Sequence, residues 1–220
     1  MAADALVVMA RYPTPGAVKT RLARQLGTDT ACALYRAFLV DIQALLAGGA
    51  WQLVWAVTPP EADLRAIVGA EARQLAQRGD DLAARMWHAF ADLFAAGAAR
   101  VVMLGADAPH LGAARVAAAF EALSAADAVF VPTHDGGYCL VGLAAPHDLF
   151  SGIAMGTATV FAETLARAHG LGLRTVVQPP TFDVDELDDV RALASLIDSG
   201  AVELPHTRAA LPSVWPAAGA

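Results

Sequence analysis

The sequence predicts an α/β fold, a single three-layer αβα domain built on a mostly parallel, doubly wound sheet with a small antiparallel excursion. Short apolar runs alternate with longer amphipathic stretches along the 220 residues, and this alternation favours a parallel sheet covered by helices on both faces. Between residues 128 and 142 two apolar runs flank a Gly-rich turn with no helix. That break predicts the antiparallel excursion.

The order of apolar and amphipathic segments assigns the individual elements. Strands are expected at seven apolar runs, residues 5–10, 52–58, 73–76, 100–104, 128–132, 138–142 and 174–178. Amphipathic periodicity predicts helices at residues 30–47, 61–68, 81–96, 112–123, 157–169 and 184–198. One domain is expected over residues 1–200, with a loose C-terminal tail over residues 201–220, where Pro, Ala and Gly occur without periodicity.

The composition excludes several classes of partner. A net charge of −7 and a hydrophobic content of 56% fit a folded acidic domain and disfavour a surface that binds nucleic acid. No apolar run is long enough for a membrane span, and Cys32 and Cys139 lack the spacing of a redox or metal motif. A cytoplasmic protein with buried thiols is expected; the sequence gives no indication of its oligomeric state.

The first candidate site is the loop after the first strand, RYPTPGAVKTRL at residues 11–22. It places Arg11, Lys19 and Arg21 around a turn at Pro15 and Gly16, just before a helix expected to begin near residue 18. Cations at a helix start oppose the helix dipole, so a bound anion explains them better than solvation does. The spacing fits neither the P-loop nor the dinucleotide fingerprint. The loop is therefore predicted to hold a phosphate-containing substrate, with Lys19 and Arg21 stabilising the leaving group.

Asp107 is the first candidate metal ligand. It follows the apolar run at residues 101–104, which puts its carboxylate at the carboxyl edge of a central strand, where a divalent metal could bind beside a diphosphate. A cap for the following helix is the alternative, although Gly112 lies closer to that helix start. Mg²⁺ or Mn²⁺ is the expected ion.

The second acidic segment is FDVDELDDV at residues 182–190. Asp185 can be explained as the N-cap of the next helix, with Asp188 three residues later. Asp183 precedes the cap and is the predicted second metal ligand. The sequence leaves open whether Asp183 or Asp185 has that role.

Five motifs occur in one order along the chain and together resemble a known family. They are RYPTPGAVKTRL, QRGDDLAARM at residues 77–86, LGADAPHL at 104–111, PTHDGGYCLVGL at 132–143 and FDVDELDDV. The pattern is similar to the small GT-A-like enzymes of the nucleotide-diphospho-sugar transferase superfamily known as radical-SAM/selenodomain-associated transferase 1, which are linked to arsenosugar biosynthesis. The resemblance spans about residues 5–195, nearly the whole folded part.

The resemblance implies roles for further residues. The first loop would hold the nucleotide diphosphate, the segment containing Gln77, Gly79 and Arg85 would line the nucleotide pocket, and Asp107 would coordinate the metal. Asp135, Gly136, Gly137 and Tyr138 would face the sugar or the acceptor; from the residues alone this segment is a tight turn in which Tyr138 could stack or hydrogen-bond. Ala84 and Met155 depart from the family pattern, which usually has Gly and Trp there.

Three functional hypotheses follow. The first is a metal-dependent transferase that moves a sugar from a nucleotide-diphosphate-sugar donor to a small-molecule acceptor, with Asp135 as the candidate base. The second is a nucleotidyltransferase that couples an NTP to a phosphorylated small molecule and releases pyrophosphate. The third is a catalytically silent nucleotide-binding protein.

Overall fold

A seven-stranded sheet runs through the computed structural model, which describes residues 3–211. Its strand order is β3-β2-β1-β4-β6-β5-β7, and only β6 runs antiparallel to its neighbours. The strands are β1 Ala5–Arg11, β2 Gln52–Thr58, β3 Arg73–Ala76, β4 Val101–Gly105, β5 Ala128–Pro132, β6 Tyr138–Leu143 and β7 Thr175–Val177. The predicted fold class, including the antiparallel excursion, is confirmed.

Eight helices connect or cover these strands within the described residues. They are α1 Thr20–Leu26, α2 Thr28–Leu46, α3 Arg65–Val68, α4 Leu82–Ala95, α5 Ala113–Ala122, α6 Val160–Gly170, α7 Leu187–Asp198 and α8 Pro205–Ala210. No helix within residues 3–211 is long and apolar enough to cross a membrane.

Two hydrophobic cores lie on opposite faces of the sheet. Successive strand side chains point to opposite faces, so in β1 Leu6 and Val8 face one core while Ala5 and Val7 face the other. The first core is closed by α1, α2, α3, α5 and α7, and the second by α4 and α6. Cys32 and Cys139 are buried free thiols, as expected.

Most observed helices begin or end within three residues of the predicted bounds, and two of the differences have a clear local cause. The helix expected at 61–68 is only the short turn α3, because Gln74 Oε1 accepts from the Leu64 N–H and Asp63 Oδ1 accepts from the Arg65 N–H. The helix expected near residue 18 begins at Thr20, because Lys19 adopts a left-handed backbone conformation (φ 47°, ψ 46°). That conformation is unusual for a side-chain-bearing residue.

The segment after residue 200 contains a docked helix where the sequence indicates a loose tail. Helix α8 packs on α2, with Leu204 and Thr207 almost completely buried. The buried Asp41 carboxylate of α2 accepts hydrogen bonds from the backbone N–H groups of His206 (3.1 Å) and Thr207 (2.7 Å) at the start of α8. The last nine residues of that expected tail, 212–220, lie outside the described residues.

Asp41 is expected to hold α8 in place. Asp41→Ala leaves two N–H groups at the helix start without acceptors, which should lower the free energy of unfolding by about 2–3 kcal/mol. Urea denaturation followed by circular dichroism measures it. Asp41→Asn keeps an acceptor oxygen and should lose less than half as much. A loss below about 0.5 kcal/mol in Asp41→Ala would show that α8 does not depend on this cap.

Candidate functional site

A cleft of about 780 Å³ opens at the carboxyl edge of the sheet. The chain leaves β1 toward β2 on one side and later enters β4 on the other side, so the loops after β1 and β4 diverge there. Such a switch point is the usual ligand site in open α/β sheets. The antiparallel β6 starts at the same edge, which brings the turn at residues 133–137 to the rim.

Lys19 lies at the centre of the acidic side of this cleft. Its Nζ contacts Asp107 Oδ1 and lies 3.0 Å from Asp185 Oδ1, and its side chain is only 3% exposed. The Tyr35 ring centroid is 5.9 Å from the same Nζ. Burial alone would lower the pKa of Lys19, but the carboxylates of Asp107 and Asp185 more than offset it and raise the pKa. The ammonium is therefore charged at neutral pH.

A backbone contact holds the two acidic segments together. The Val184 N–H donates to the Asp107 carbonyl at 2.8 Å, so the chain after β7 is tied to the loop after β4. Helix α7 is capped one residue later than expected, at Glu186, with the Asp189 carboxylate accepting from the Glu186 N–H. Because Glu186 provides the cap, the Asp185 side chain is available for Lys19.

Asp183 carries the most perturbed carboxyl of the cleft. Burial, reinforced by the negative charges of Asp135, Asp185 and Asp107, raises its pKa to about 7, although Lys19 acts in the opposite direction. Four carboxylates thus share one region with the cations Lys19 and Arg21. Arg21 is 62% exposed, with Nη1 3.9 Å from Asp185 Oδ2. Within residues 3–211, no three His, Cys, Asp or Glu side chains converge into a complete metal centre.

The Asp135 carboxylate is held by its own turn. Its Oδ1 accepts from the Thr133 hydroxyl and from the Gly137 N–H at 3.1 Å. Burial would raise the pKa of Asp135, but these hydrogen bonds outweigh it and the pKa is lowered. Asp135 and Gly137 both line the cleft.

Gly136 does not line the cleft, whereas Tyr138 does. A Cβ on Gly136 (φ 92°) would lie 2.0 Å from the Ala158 carbonyl oxygen, so this glycine is explained by backbone packing, and it is not among the lining residues. The Tyr138 ring lines the cleft and packs edge-on against Phe130. Burial raises the pKa of the Tyr138 hydroxyl to about 12, and the hydroxyl lies near Thr164 without a well-formed hydrogen bond in the described residues.

The segment after β3 contributes one side of the cleft. Gln77 is buried and donates from Nε2 to the carbonyls of Ala10 (3.1 Å) and Ala56 (2.8 Å), which fixes it across the ends of β1 and β2. Arg85 lines the cleft and donates from Nε to the Gly79 carbonyl at 3.0 Å. Gly79 does not line it; its φ of 127° and close contact with the Ala84 Cβ explain the glycine.

The turn of the first loop lies outside the cleft. Pro15 and Gly16 are exposed and do not line it, whereas Arg11 lines the cleft and donates from Nη1 to the Ala17 carbonyl at 3.2 Å. Of the predicted site residues, the structure brings ten together around the cleft: Arg11, Lys19, Arg21, Gln77, Arg85, Asp107, Asp135, Gly137, Tyr138 and Asp183.

Part of the cleft wall is apolar. Every methionine after Met1 lines it, namely Met9, Met86, Met103 and Met155, together with the half-exposed Leu82. Met86 is both buried and at the cleft wall. Met155 thus lines the cleft, whereas Ala84, the other departure from the family pattern, does not.

The sequence did not predict Tyr35 as a site residue, and it did not distinguish a site role of Asp185 from a helix cap. Tyr35 reaches the cleft from α2, and its hydroxyl accepts from the Arg11 N–H at 3.2 Å; nothing in the periodicity of α2 distinguishes it from a core residue. Asp185 was equally well explained as a helix cap. The acidic run Glu186–Asp189, which satisfies the capping pattern one residue later, is the signal that could have assigned the cap correctly.

Residues 41–157, more than half of the chain, match the model of a family described as "uncharacterized protein conserved in bacteria (DUF2064)". The chain belongs to this DUF2064 family. The matched residues include Asp107 and the turn at Asp135, while Lys19 and the acidic segment at residues 182–190 lie outside them. No protein in a search of curated proteins matches the sequence significantly.

Solved structures extend the likeness to nearly the whole chain. A protein from Desulfovibrio desulfuricans G20, provisionally named a nucleotide-diphospho-sugar transferase, is 33% identical, and the match covers 94% of both chains with a TM-score of 0.87. A cytidylyltransferase from Leptospira borgpetersenii is 15% identical over 90% of this chain and 88% of that one, with a TM-score of 0.58. Rv0371c from Mycobacterium tuberculosis H37Rv, in complex with manganese, is 18% identical over 88% of this chain and 98% of that one, with a TM-score of 0.52.

The 33% identical relative places the DUF2064 chain in the nucleotide-diphospho-sugar transferase superfamily, which confirms the coarser part of the sequence-based resemblance. It also supports the expected enzyme class, a transferase. The two more distant structures share the fold alone, at 15% and 18% identity.

The raised pKa of Asp183 predicts that the free energy of unfolding falls as the pH rises. Because its pKa is about 7 in the folded protein and about 3.9 in an unfolded chain, the folded state binds more protons between these values. Its contribution to the free energy of unfolding therefore falls as pH rises from about 4 to 7 and levels off above. Asp183→Asn removes this loss, so the variant should be more stable than wild type at pH 8, by on the order of 1–3 kcal/mol, and similar at pH 4.

Denaturation of both proteins across this pH range, with a chelator present, measures the difference. Glu71→Gln is the control, since Glu71 is exposed and does not line the cleft; it should show no such trend. An Asp183→Asn variant that is less stable than wild type at pH 8 would contradict the prediction.

Proposed function

We propose that this DUF2064 protein is a metal-dependent transferase that uses a nucleotide-diphosphate-sugar donor to glycosylate a small-molecule acceptor. The observation that carries the proposal is the meeting of Lys19 and Arg21 with Asp107, Asp183 and Asp185 in one cleft at the switch point of the sheet. Basic side chains suit a diphosphate, and neighbouring carboxylates suit the divalent cation that accompanies it. The 33% identical relative with the provisional transferase name supports the same substrate class.

The donor set of the cleft fits Mg²⁺ or Mn²⁺. The carboxylates of Asp107, Asp135, Asp183 and Asp185 all line the cleft, and burial, reinforced by the other three carboxylates, raises the pKa of Asp183. Mg²⁺ is commonly held by one or two carboxylates together with substrate phosphates, so three converging protein ligands are not required. Asp107, with Asp183 or Asp185, would hold the ion, which would neutralise the diphosphate charge.

The remaining residues have roles on either side of the reacting bond. In glycosyl transfer the bond between the sugar carbon and the diphosphate oxygen breaks, and the acceptor forms the new bond. Lys19, Arg21 and Arg11 would stabilise the departing nucleoside diphosphate, and Gln77 and Arg85 would line the nucleotide. Asp135 is the candidate base that takes the acceptor proton, an assignment that its hydrogen-bonded, exposed position at the cleft permits.

The acceptor would lie against the methionine wall. Thioether side chains adapt to irregular apolar surfaces, so an acceptor with an apolar face suits this side better than a highly charged one. The finer resemblance to radical-SAM/selenodomain-associated transferase 1 belongs to the same proposal, and Met155 in place of Trp predicts an acceptor that differs from those of enzymes with Trp. We expect the activity in the cytoplasm.

Nucleotidyl transfer remains the second candidate, since the Leptospira cytidylyltransferase has the same fold. The products separate the two reactions. Release of a nucleoside diphosphate from a nucleotide sugar indicates glycosyl transfer, whereas pyrophosphate release from an NTP and a phosphorylated acceptor indicates nucleotidyl transfer. Binding without either product would favour the silent nucleotide-binding protein.

Thermal unfolding tests the substrate class. A ligand at about 100 times its Kd should stabilise the protein by about 2.7 kcal/mol, so we expect a nucleoside diphosphate or nucleotide sugar to raise Tm, and to raise it further with Mg²⁺ or Mn²⁺. Asp107→Asn should lose the metal-dependent part of the shift.

The matched control is Arg78→Gln. Arg78 belongs to the same segment as Gln77 and Arg85 but pairs with Asp92 (2.6 Å) and does not line the cleft, so this variant should keep the full shift. The proposal fails if no nucleotide raises the Tm of the wild type, with or without metal.

A further inference from the structure

Lys19 is the only lysine of the chain; the other 14 basic side chains are arginines. An ammonium group is a compact point charge with donors in several directions, whereas a guanidinium is a planar fork. Two carboxylates that converge on one point can enclose an ammonium much as they would enclose a small cation. The single lysine of the sequence occurs where two carboxylates, those of Asp107 and Asp185, converge on one point.

The ammonium lies between the two carboxylates. Nζ contacts Asp107 and lies 3.0 Å from Asp185, and the side chain is 3% exposed. The carboxylates themselves are 46% and 45% exposed and line the cleft. A divalent cation that reaches both carboxylates from the cleft meets the ammonium in the space between them.

We propose that Lys19 and the divalent cation compete for Asp107 and Asp185, that the cation binds both carboxylates only after Lys19 has left them, and that the diphosphate of the donor gives the displaced ammonium a new partner. The inference rests on the proposed function, because it takes the metal and the diphosphate as the ligands of this cleft. Lys19 is the N-cap residue of α1 and has a left-handed backbone conformation, so its side chain belongs to the loop proposed above to hold the diphosphate.

The exchange couples the two ligands. The Lys19 ammonium leaves Asp107 and Asp185 and pairs with the diphosphate, and the metal then binds these two carboxylates. Metal alone should then bind weakly, nucleotide should strengthen metal binding, and metal should strengthen nucleotide binding by the same factor. Lys19 acts as a positioning residue for the metal in addition to its contact with the donor.

Calorimetric titration of Mn²⁺ alone, without nucleotide, tests the competition. Lys19→Met removes the charge while keeping an unbranched apolar stem, and it should bind Mn²⁺ about tenfold more tightly than wild type or better. Arg21→Met is the matched control: it removes one positive charge from the same loop, but Arg21 is exposed and lies beside Asp185, not between the carboxylates. It should change the Kd by about threefold or less.

Two results would overturn the competition. Equal tightening in Lys19→Met and Arg21→Met would mean that only the overall charge matters, and unchanged or weaker Mn²⁺ binding in Lys19→Met would mean that Lys19 does not occupy the space of the metal. Asp107→Asn separates this from the proposed function. If it abolishes Mn²⁺ binding while Lys19→Met has no effect, the metal site stands and the competition does not; if Mn²⁺ binds neither wild type nor Lys19→Met, both fail.

A second measurement uses the wild-type protein. Lys19 and the N-terminus are its only amines, so reaction with an amine reagent followed by peptide mass spectrometry reports on Lys19 directly. The buried, ion-paired ammonium should react slowly, and saturating Mg²⁺ should accelerate its modification several-fold as the ammonium leaves the carboxylates. Modification that slows or does not change when Mg²⁺ is added would contradict the exchange.

Discussion

The ion pairs of Lys19 with Asp107 and Asp185 connect three segments that are far apart in the sequence. Lys19 follows β1, Asp107 follows β4, and Asp185 follows β7. Burial, reinforced by the carboxylates of Asp135, Asp185 and Asp107, raises the pKa of the neighbouring Asp183, and the Lys19 ammonium acts in the opposite direction. The Val184–Asp107 backbone hydrogen bond also ties the two acidic segments together, so they are held by a main-chain contact as well as by the ion pairs.

The sheet explains why these segments meet. The chain reverses its direction of travel across the sheet between β1 and β4, so the loops at their carboxyl ends separate and leave a crevice. The antiparallel β6 adds a rim that parallel strands would not supply, because its first residues lie beside the end of β4. Charged side chains and methionines both line the cleft.

Patterns within the chain predicted most of the fold. The strands at residues 52–58, 73–76 and 128–132 begin and end where their apolar runs do, and the helix-free interval before β6 identified the antiparallel strand. Helix α8 was missed because its docking depends on the Asp41 carboxylate, more than 160 residues away in the sequence. The length of α3 depends on side chains that compete for backbone N–H groups, and periodicity does not report such local bonds.

The site was predictable where a residue type was unexpected for its position, as with the cations at the start of α1. It was less predictable where a residue had a simple structural explanation. Gly79 and Gly136 were assigned to the substrate, whereas the contacts with Ala84 and Ala158 explain both. Asp185 could be explained equally well as a helix cap or as a site residue, and the structure shows that Glu186 provides the cap. In each case the deciding contact lies in a neighbouring turn, and the spacing of residues along the chain does not reveal it.

The most direct test of the account is a crystal structure with Mn²⁺ and a nucleoside diphosphate, with the metal located by anomalous diffraction. We expect a manganese peak beside Asp107 and Asp183 or Asp185, and a diphosphate on the loop of Lys19 and Arg21 with the Lys19 ammonium turned toward it. A nucleotide bound elsewhere, or a manganese peak away from these carboxylates, would contradict it.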